Sequence, residues 1–258
     1  MGKGKHAGAP EKLIVSGKRL DGRKLNELRP LTIKAGVIPN ADGSCALTLG
    51  ETYILVGVYG PRECFPKHLA EQDRAYLSVI YDMAAFSTAD RARPGPSRRS
   101  TEISKVIRNA LSPAIFLEKY PRTKIDVYIE VTNANAGTRT AAITAAAVAL
   151  ADAGIEMRDL VTSVATGKAD GEVMLDLFEP EDNYGEADMP LAIMPKTKDI
   201  TLLQLDGELT YEEVEQMLTM SMKACEEIYE AQKKALKEKY AIEKSAEVEA
   251  GGEENGAV

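Results

Sequence analysis

The chain has 258 residues, 44% of them hydrophobic and 28% charged, with 32 Lys and Arg against 40 Asp and Glu for a formal net charge of −8. That length and mixture suit a soluble globular protein with a real core, and the acidic balance excludes a protein that coats nucleic acid without selection. No apolar run approaches the roughly 20 residues of a membrane helix, and three widely spaced cysteines with two histidines form neither a disulfide framework nor a zinc motif, so the cytoplasm is expected.

Residues 1–12, MGKGKHAGAPEK, are small, polar and basic, and open an arm over 1–17. They are expected to form a mobile arm and lack the apolar segment of a secretory signal. LRPLTIKAGVI (28–38) reads as a strand. ADGSCALTLG and ETYILVGVYG supply two more, joined at Gly50, with NADGS (40–44) as the turn before them. GPRECFPKHLAEQDR (60–74) reads as a loop with two prolines, and AYLSVIYDMA (75–84) returns as a strand. A helix follows over 97–120, capped by Ser97 or Ser100, with Ile103, Val106, Ile107, Ala110 and Leu111 in one apolar stripe and a stop at Pro121. KIDVYIEVTNAN (124–135) alternates like a strand with one buried face. GTRTAAITAAAVALADAG (137–154) is an alanine-rich helix suited to close packing on a sheet and ended by Gly154. LVTSVATGKADGEVMLDLFEP (160–180) reads as a hairpin with ADG at its tip, and residues 188–210 supply two further strands. Residues 210–240 form a long amphipathic helix. Its apolar positions Val214, Leu218, Met222, Cys225 and Ile228 suit its own core or a subunit contact. The tail from 241 ends SAEVEAGGEENGAV, has four glutamates and no aromatic in that stretch, and is expected to be disordered.

Blocks of neighbouring strands interleaved with helices predict an α+β fold of sheets packed against helices rather than a doubly wound parallel sheet. The absence of GxGxxG and Walker patterns argues against dinucleotide and P-loop sites.

Three clusters carry possible chemistry. In NAGTRT (135–140) a strand ends, a glycine turns and a helix starts near Thr138. Free N–H groups at a helix start favour an anion, and Thr138 and Arg139 add a hydroxyl and a forked cation. Taken alone, the stretch also fits an ordinary helix cap with an exposed arginine. In EDNYGEADMP (181–190), Asp182 and Asp188 bracket a turn. Two close carboxylates hold Mg²⁺ or divide into acid and base, although a solvated acidic turn has the same composition. RARPGPSRR (91–99) places four arginines and no acid before a helix, which fits either a flexible basic loop or an anion site. Arg62, Lys67 and His68 make a second basic loop. Together these are parts for phosphoryl transfer from a nucleic acid, where cations must cancel the repulsion of about 4 kcal/mol between two anions at 4 Å.

The stretches LDGRKLNELRPL, FSTADRARPGPSRRSTEISKVIRNAL, NAGTRTAAITAAAVALADAGI and VATGKADGEVMLDLFEPEDNYGEADMP, spread from about Lys18 to Lys239, resemble the RNase PH family, and within it the catalytic RNase PH-like subunits of archaeal exosomes. The resemblance implies an RNase PH-like fold (ribosomal protein S5 domain 2-like) of duplicated βαβα halves, with the catalytic domain at 18–240. It implies a hetero-hexameric ring with three copies of a non-catalytic RNase PH-like partner, and RNA-binding cap proteins on one face. Single-stranded RNA would be shortened from its 3′ end, with inorganic phosphate as co-substrate and nucleoside diphosphates released; the reverse tailing reaction is implied as well. Carried over by position, Gly137, Thr138 and Arg139 match the phosphate cradle, and Arg98 and Arg99 match the arginines on the RNA backbone. Asp182 and Asp188 match the essential acids. Asp188 would be the general acid or metal ligand at the leaving oxygen, and Asp182 would support it or share Mg²⁺. Arg62, Phe65, Lys67 and His68 fall in the loop that resembles the RNA neck. Family members often carry Asp where this chain has Asn135; the change either aids phosphate binding or removes a metal contact. A self-sufficient tRNA-trimming homohexamer and a non-catalytic RNA-binding ring subunit are the alternatives.

Overall fold

The computed structural model describes residues 10, 12–15 and 17–253 of the chain. A short ribbon pairs β1 (Ile14–Val15) with β2 (Lys18–Arg19). The first large sheet holds β3 (Leu31–Ala35), β4 (Gly43–Leu49), β5 (Thr52–Glu63), β6 (Tyr76–Met83) and β7 (Thr123–Asn133). Its order is β3-β4-β5-β7-β6, antiparallel except for the parallel pair β6 and β7. The second sheet holds β8 (Thr162–Ala169), β9 (Glu172–Leu175), β10 (Ala187–Met194) and β11 (Asp199–Leu203) in the order β11-β10-β8-β9, and β12 (Asp206–Gly207) also pairs with β10. The helices are α1 (Arg98–Leu111), α2 (Thr138–Asp152), α3 (Glu179–Tyr184) and α4 (Tyr211–Glu253).

The α+β layering expected from the sequence is present. Helix α2 lies between the sheets, touching β4 and β5 of one and β8 and β10 of the other. It is buried at every position except Arg139 and Ala151. A helix apolar all round must be enclosed, and its alanines let backbones approach closely. The approach is tightest at Gly43 in β4, where an added Cβ would lie 2.2 Å from the Ala153 nitrogen and 2.4 Å from the Ala149 oxygen. Helix α1 packs on β6, and α4 packs on β8 and β3. In α4, Cys225 and Ile228 are buried, and they and Leu218 join Val164 and Leu191 in one cluster, while Val214 packs with Val173 and Met189 in another. These positions of α4 therefore serve the chain's own core.

Several boundaries differ from expectation. Helix α1 stops at Leu111 rather than at Pro121. Pro113 has no amide hydrogen for the helical ladder, and a 3-10 turn (Ser112–Ala114) takes over there. Of the two serine candidates, Ser97 is the cap: it accepts from the Ser100 amide at 3.0 Å while Ser100 Oγ accepts from the Ser97 amide at 2.8 Å. Strand β5 continues through Glu63, so Arg62 lies on a strand rather than in a loop. In the arm expected to be mobile through residue 17, residues 13–15 are docked: Leu13 is buried, and its amide and that of Ile14 donate to Asp170 Oδ2 at 2.7 and 2.9 Å. Residues 1–9, 11 and 16 of that arm lie outside the described residues. Helix α4 runs past the expected end at 240 as far as Glu253, through a segment rich in the strong helix formers Ala, Glu and Lys; residues 254–258 of the tail lie outside the described residues. Among the described residues no helix is long and apolar enough to cross a membrane.

The meeting of β4 with α2 yields a test of this packing. Gly43→Ala is expected to lower stability by about 1–3 kcal/mol, the range for forcing a methyl into a filled site, read as a shifted urea midpoint with an unchanged m-value.

Candidate active site

Strand β7 ends at Asn133, and the chain turns through Ala136 (φ 52°) and Gly137 (φ 63°) into α2. A Cβ on Gly137 would stand 2.9 Å from Arg29 Nη2, so both backbone angle and space call for glycine. Gly137 caps α2 without a side chain, and no acid occupies the first turn. The opening N–H groups are therefore left to an external anion. Thr138 is buried, and its Oγ1 accepts from the Tyr81 hydroxyl at 2.9 Å. Burial pushes the Tyr81 phenol up, which keeps it a donor. With its acceptor side used by Tyr81, the Thr138 hydroxyl has its own proton to donate.

Arg139 follows with its guanidinium anchored at the far end. Nη1 donates to Gln204 Oε1 at 2.5 Å and Nη2 to Glu102 Oε2 at 3.1 Å. Its Nε–H is buried and has no hydrogen-bond partner among the described residues. An orphaned charged donor at a cavity wall is what an anion site requires before the anion arrives.

These groups line a cavity of about 360 Å³. Arg99 from α1, Asp182 from α3 and Asp188 from β10 line it as well. Both aspartates are half-buried. Asp188 stands opposite Gly167 of β8 in the sheet register, where the neighbour contributes no side chain. Among the described residues no group of three or more His, Cys, Asp and Glu converges as a metal cluster. Asp182 and Asp188 line the cavity with a third carboxylate, Glu179, and a pair of acids fits Mg²⁺: that ion commonly takes one or two carboxylates and completes its shell with water and substrate phosphate.

Buried arginines hold this cavity in shape. Arg19 forms a two-pronged ion pair with Glu181 of α3, and both side chains are fully buried. Arg29 clasps Asp176 through Nε at 2.9 Å and Nη2 at 2.7 Å, and its Nη1 donates to the Asn135 carbonyl. Asn135 ties the two sides together: its Nδ2 donates to Glu51 Oε2 at 2.7 Å, and its Oδ1 accepts from the Glu179 amide at the start of α3 at 2.9 Å.

The residues expected to act together divide among three places. Gly137, Thr138, Arg139, Arg99, Asp182 and Asp188 meet at one cavity. Arg98 does not; it lines a separate groove between α1 and β6. Arg62, Phe65, Lys67 and His68 are exposed at the other end of the first sheet. Arg62 pairs in register with Lys124 at the start of β7, whereas the cradle follows its end, ten residues and therefore about 30 Å away. Arg62 bonds Asp42 at 3.0 Å and stacks 4.8 Å from the Tyr59 ring; Lys67 faces Glu63 at 3.8 Å; Phe65 is 78% exposed. Sequence reasoning does not find helix α3 in the acidic turn. Nor does it find Tyr81, Glu102, Gln204 or the cluster of Arg19, Arg29, Asp176 and Glu181. One signal points to that cluster: Asp176 interrupts the apolar run VMLDLF, and an acid in such a run is buried only when paired.

The chain matches the profile of the 3′ exoribonuclease family, domain 1, over residues 27–156, and that of domain 2 over residues 159–224. A Thermococcus onnurineus protein named Exosome complex component Rrp41 is 57% identical over 249 residues, covering 95% of this chain and 99% of that protein. One of the same name from Pyrococcus furiosus is 59% identical over 225 residues, covering 87% and 90%. Among solved structures, rice Rrp46 is similar with TM-score 0.74 at 24% identity, covering 83% of this chain and 98% of that one. A chain from the Archaeoglobus fulgidus exosome with RNA bound to the active site gives 0.72 at 24%, covering 83% and 92%. At that identity the likeness is one of fold, and it agrees with the RNase PH-like architecture expected.

The buried clamp and the Asn135 joint can be tested separately. Glu181→Gln leaves Arg19 charged and buried without a counter-ion, and is expected to cost roughly 3–5 kcal/mol in denaturant unfolding. Asn135→Asp removes the donor to Glu51 and sets two carboxylates together. It is expected to weaken phosphate binding several-fold with little change in melting temperature, read by calorimetric titration of phosphate.

Proposed function

The chain belongs to the RNase PH 3′ exoribonuclease family, and from its cavity we propose that it is the catalytic subunit of an exosome ring, degrading single-stranded RNA from the 3′ end by phosphorolysis. The observation that carries this reading is the convergence of an anion cradle, an arginine and two aspartates on one cavity. In the proposed reaction, inorganic phosphate sits on the opening N–H groups of α2, the Thr138 hydroxyl and Arg139. Arg99 holds the backbone phosphate of the terminal nucleotide. The arginines offset the repulsion between the two anions, which near 4 Å is about 4 kcal/mol at an effective dielectric of 20.

An oxygen of the phosphate then attacks the phosphorus of the last phosphodiester. The bond from phosphorus to the 3′ oxygen breaks, a nucleoside diphosphate forms, and the shortened RNA keeps a 3′ hydroxyl. Phosphate takes the place of water, so the reaction is not hydrolysis. Asp188 gives the leaving oxygen its proton. Asp182, carried on the α3 turn that Arg19 anchors through Glu181, supports Asp188. Mg²⁺, held by Asp182 and Asp188, would supply further neutralisation of phosphate charge when bound. A proton donor and a two-carboxylate metal site are exclusive at any one moment, since a cation favours both acids ionised.

The ring reading is supported by relatives named as exosome components, at 57% and 59% identity over most of their length. In that reading the chain alternates with a non-catalytic RNase PH-like partner, three of each, in the cytoplasm, with RNA-binding caps above. Arg62, Phe65, Lys67 and His68 then form the entry neck, some 30 Å from the chemistry by the length of β7.

The test is product analysis. The chain is incubated with its partner subunits, 3′-tailed RNA and Mg²⁺, with and without inorganic phosphate. Nucleoside diphosphates are expected only with phosphate; monophosphates formed without it would overturn the reading. Asp188→Ala is expected to lower turnover by at least about 10²-fold, the scale of one acid–base group.

A further inference from the structure

A second groove lies on the outer side of α1, with a volume of about 610 Å³. Arg98, Lys105 and Arg108 line it from the helix, and Tyr76 and Ser78 of β6 form the opposite wall. Steps of seven and three residues put the three cations on one face of α1. Among the described residues, none of the three side chains enters an ion pair or a hydrogen bond. The acid in that wall, Glu102, is engaged with Arg139 at 3.1 Å. In a chain of net charge −8, three cations on one face with no acid paired to them make this groove locally positive and suited to an anion.

The placement of the groove indicates which anion. Helix α1 is the partition between the two depressions: Arg99 and Ile103 face the catalytic cavity, while Arg98, Lys105 and Arg108 face the groove. Arg98 and Arg99 are consecutive, so one strand crossing the N-terminus of α1 meets both. From Arg98 to Arg108 the helix rises about 15 Å. Strand β6 runs alongside, from Tyr76, in register with Lys124, to Met83, which lines the cavity. The groove therefore leads from the cavity rim toward the end of the sheet where Arg62 and Phe65 are exposed. A continuous polyanion whose terminus lies in the cavity fits this course; a compact anion would not need its length.

We propose that this groove is a track for the upstream part of the single-stranded RNA, with Lys105 and Arg108 on its phosphates and Tyr76 beside its bases. The inference rests on the RNA reading above and extends it to residues outside the cavity. Lys105 and Arg108 touch no reacting atom in this arrangement, so their effect is on the binding of RNA long enough to reach them.

The experiment compares the full chain, alone and in its ring, with Lys105→Glu/Arg108→Glu. Affinity is measured in phosphate-free buffer for a short RNA of about four nucleotides and a long one of about 20, the short one matching the small end of single-strand site sizes. The long RNA is expected to bind at least tenfold more weakly to the variant. The short RNA should change by less than twofold, and the KM for phosphate should stay the same. The salt dependence of long-RNA affinity should become shallower by roughly 0.7 in log–log slope for each RNA phosphate that is no longer neutralised. Lys105→Gln/Arg108→Gln, which introduces no repulsion, should show the same length dependence at smaller amplitude and guards against a folding defect in the first variant. Equal losses for both RNAs, no loss for the long RNA, or failed ring assembly with RNA affinity intact would each overturn the track; the last would assign the groove to a protein partner. The two readings fail separately. If the unmodified chain shows the length dependence but forms no diphosphate, phosphorolysis falls and the track stands. If it binds both RNAs equally, the track falls whatever the products.

Discussion

The cavity depends on arginines buried against two carboxylates. Arg19 with Glu181 and Arg29 with Asp176 join the N-terminal segment to the second sheet, to α3 and to the cradle turn. Burying such charges costs several kcal/mol per ion, and the cost is recovered only when geometry is good and the remaining donors are satisfied. Here they are. Arg19 also donates to the carbonyls of Leu175 at 2.5 Å and Asp176 at 2.8 Å, and Asp176 Oδ2 accepts from the Arg29 amide at 2.8 Å. Asp176 itself takes a left-handed backbone angle, φ 53°, within this cage. Such a network contributes less to net stability than to fixing one arrangement of pieces far apart in sequence. Its product is a turn at 135–137 and a short helix at 179–184, set at a constant distance from each other.

That constancy matters because the two sides of the cavity come from different halves of the fold. The anion cradle is the start of α2, enclosed by both sheets. The acids come from β10, a strand paired on both sides, and from α3, which at six residues has little stability of its own and relies on Glu181. Asn135 spans the gap with a neutral amide that donates to one partner and accepts from the other. A carboxylate has only acceptors to offer and lacks that reach. Arg139 is likewise held between α1 through Glu102 and the segment after β11 through Gln204. Arg139, Thr138 and the α3 turn are thus positioned by neighbours that themselves take no part in the chemistry.

The parts of this arrangement that are legible in the sequence are those with a local physical cause. The alternation of residues 124–135, the glycine turn and the alanine-rich run announce β7, the cradle and α2 without reference to the rest of the chain. The end of α1 is misplaced when Pro121 rather than Pro113 is taken as the stop, because a proline without an amide hydrogen interrupts a helix wherever it first occurs. Helix α3 is illegible because six residues carry no periodic signal, and its stability is tertiary. Arg98 and Arg99 are adjacent in sequence, but successive helical residues point about 100° apart, so one basic pair serves two depressions. The clamp is hidden for the same reason as α3: Arg19 and Glu181 are 162 residues apart, and pairing over that distance is set by the fold.

A chain of net charge −8 must still attract a polyanion, and range decides how. At physiological salt the Debye length is about 8 Å, so acids on the far side of the molecule are largely screened at the cavity. Many of the acids lie there: Glu212, Glu215, Glu226, Glu227 and Glu230 stand exposed on α4, behind the second sheet. Others are already occupied, as Asp176 and Glu181 are by arginines. The cations near the cavity, by contrast, act at close range, where screening is weakest. Among the described residues Arg98, Lys105 and Arg108 form no ion pair, the acid in their groove, Glu102, being engaged with Arg139, and the Nε–H of Arg139 has no acceptor. Acids elsewhere on the surface act at the same short range, on whatever approaches them. The local arrangement of charge, and not its total, therefore decides where a polyanion can be held.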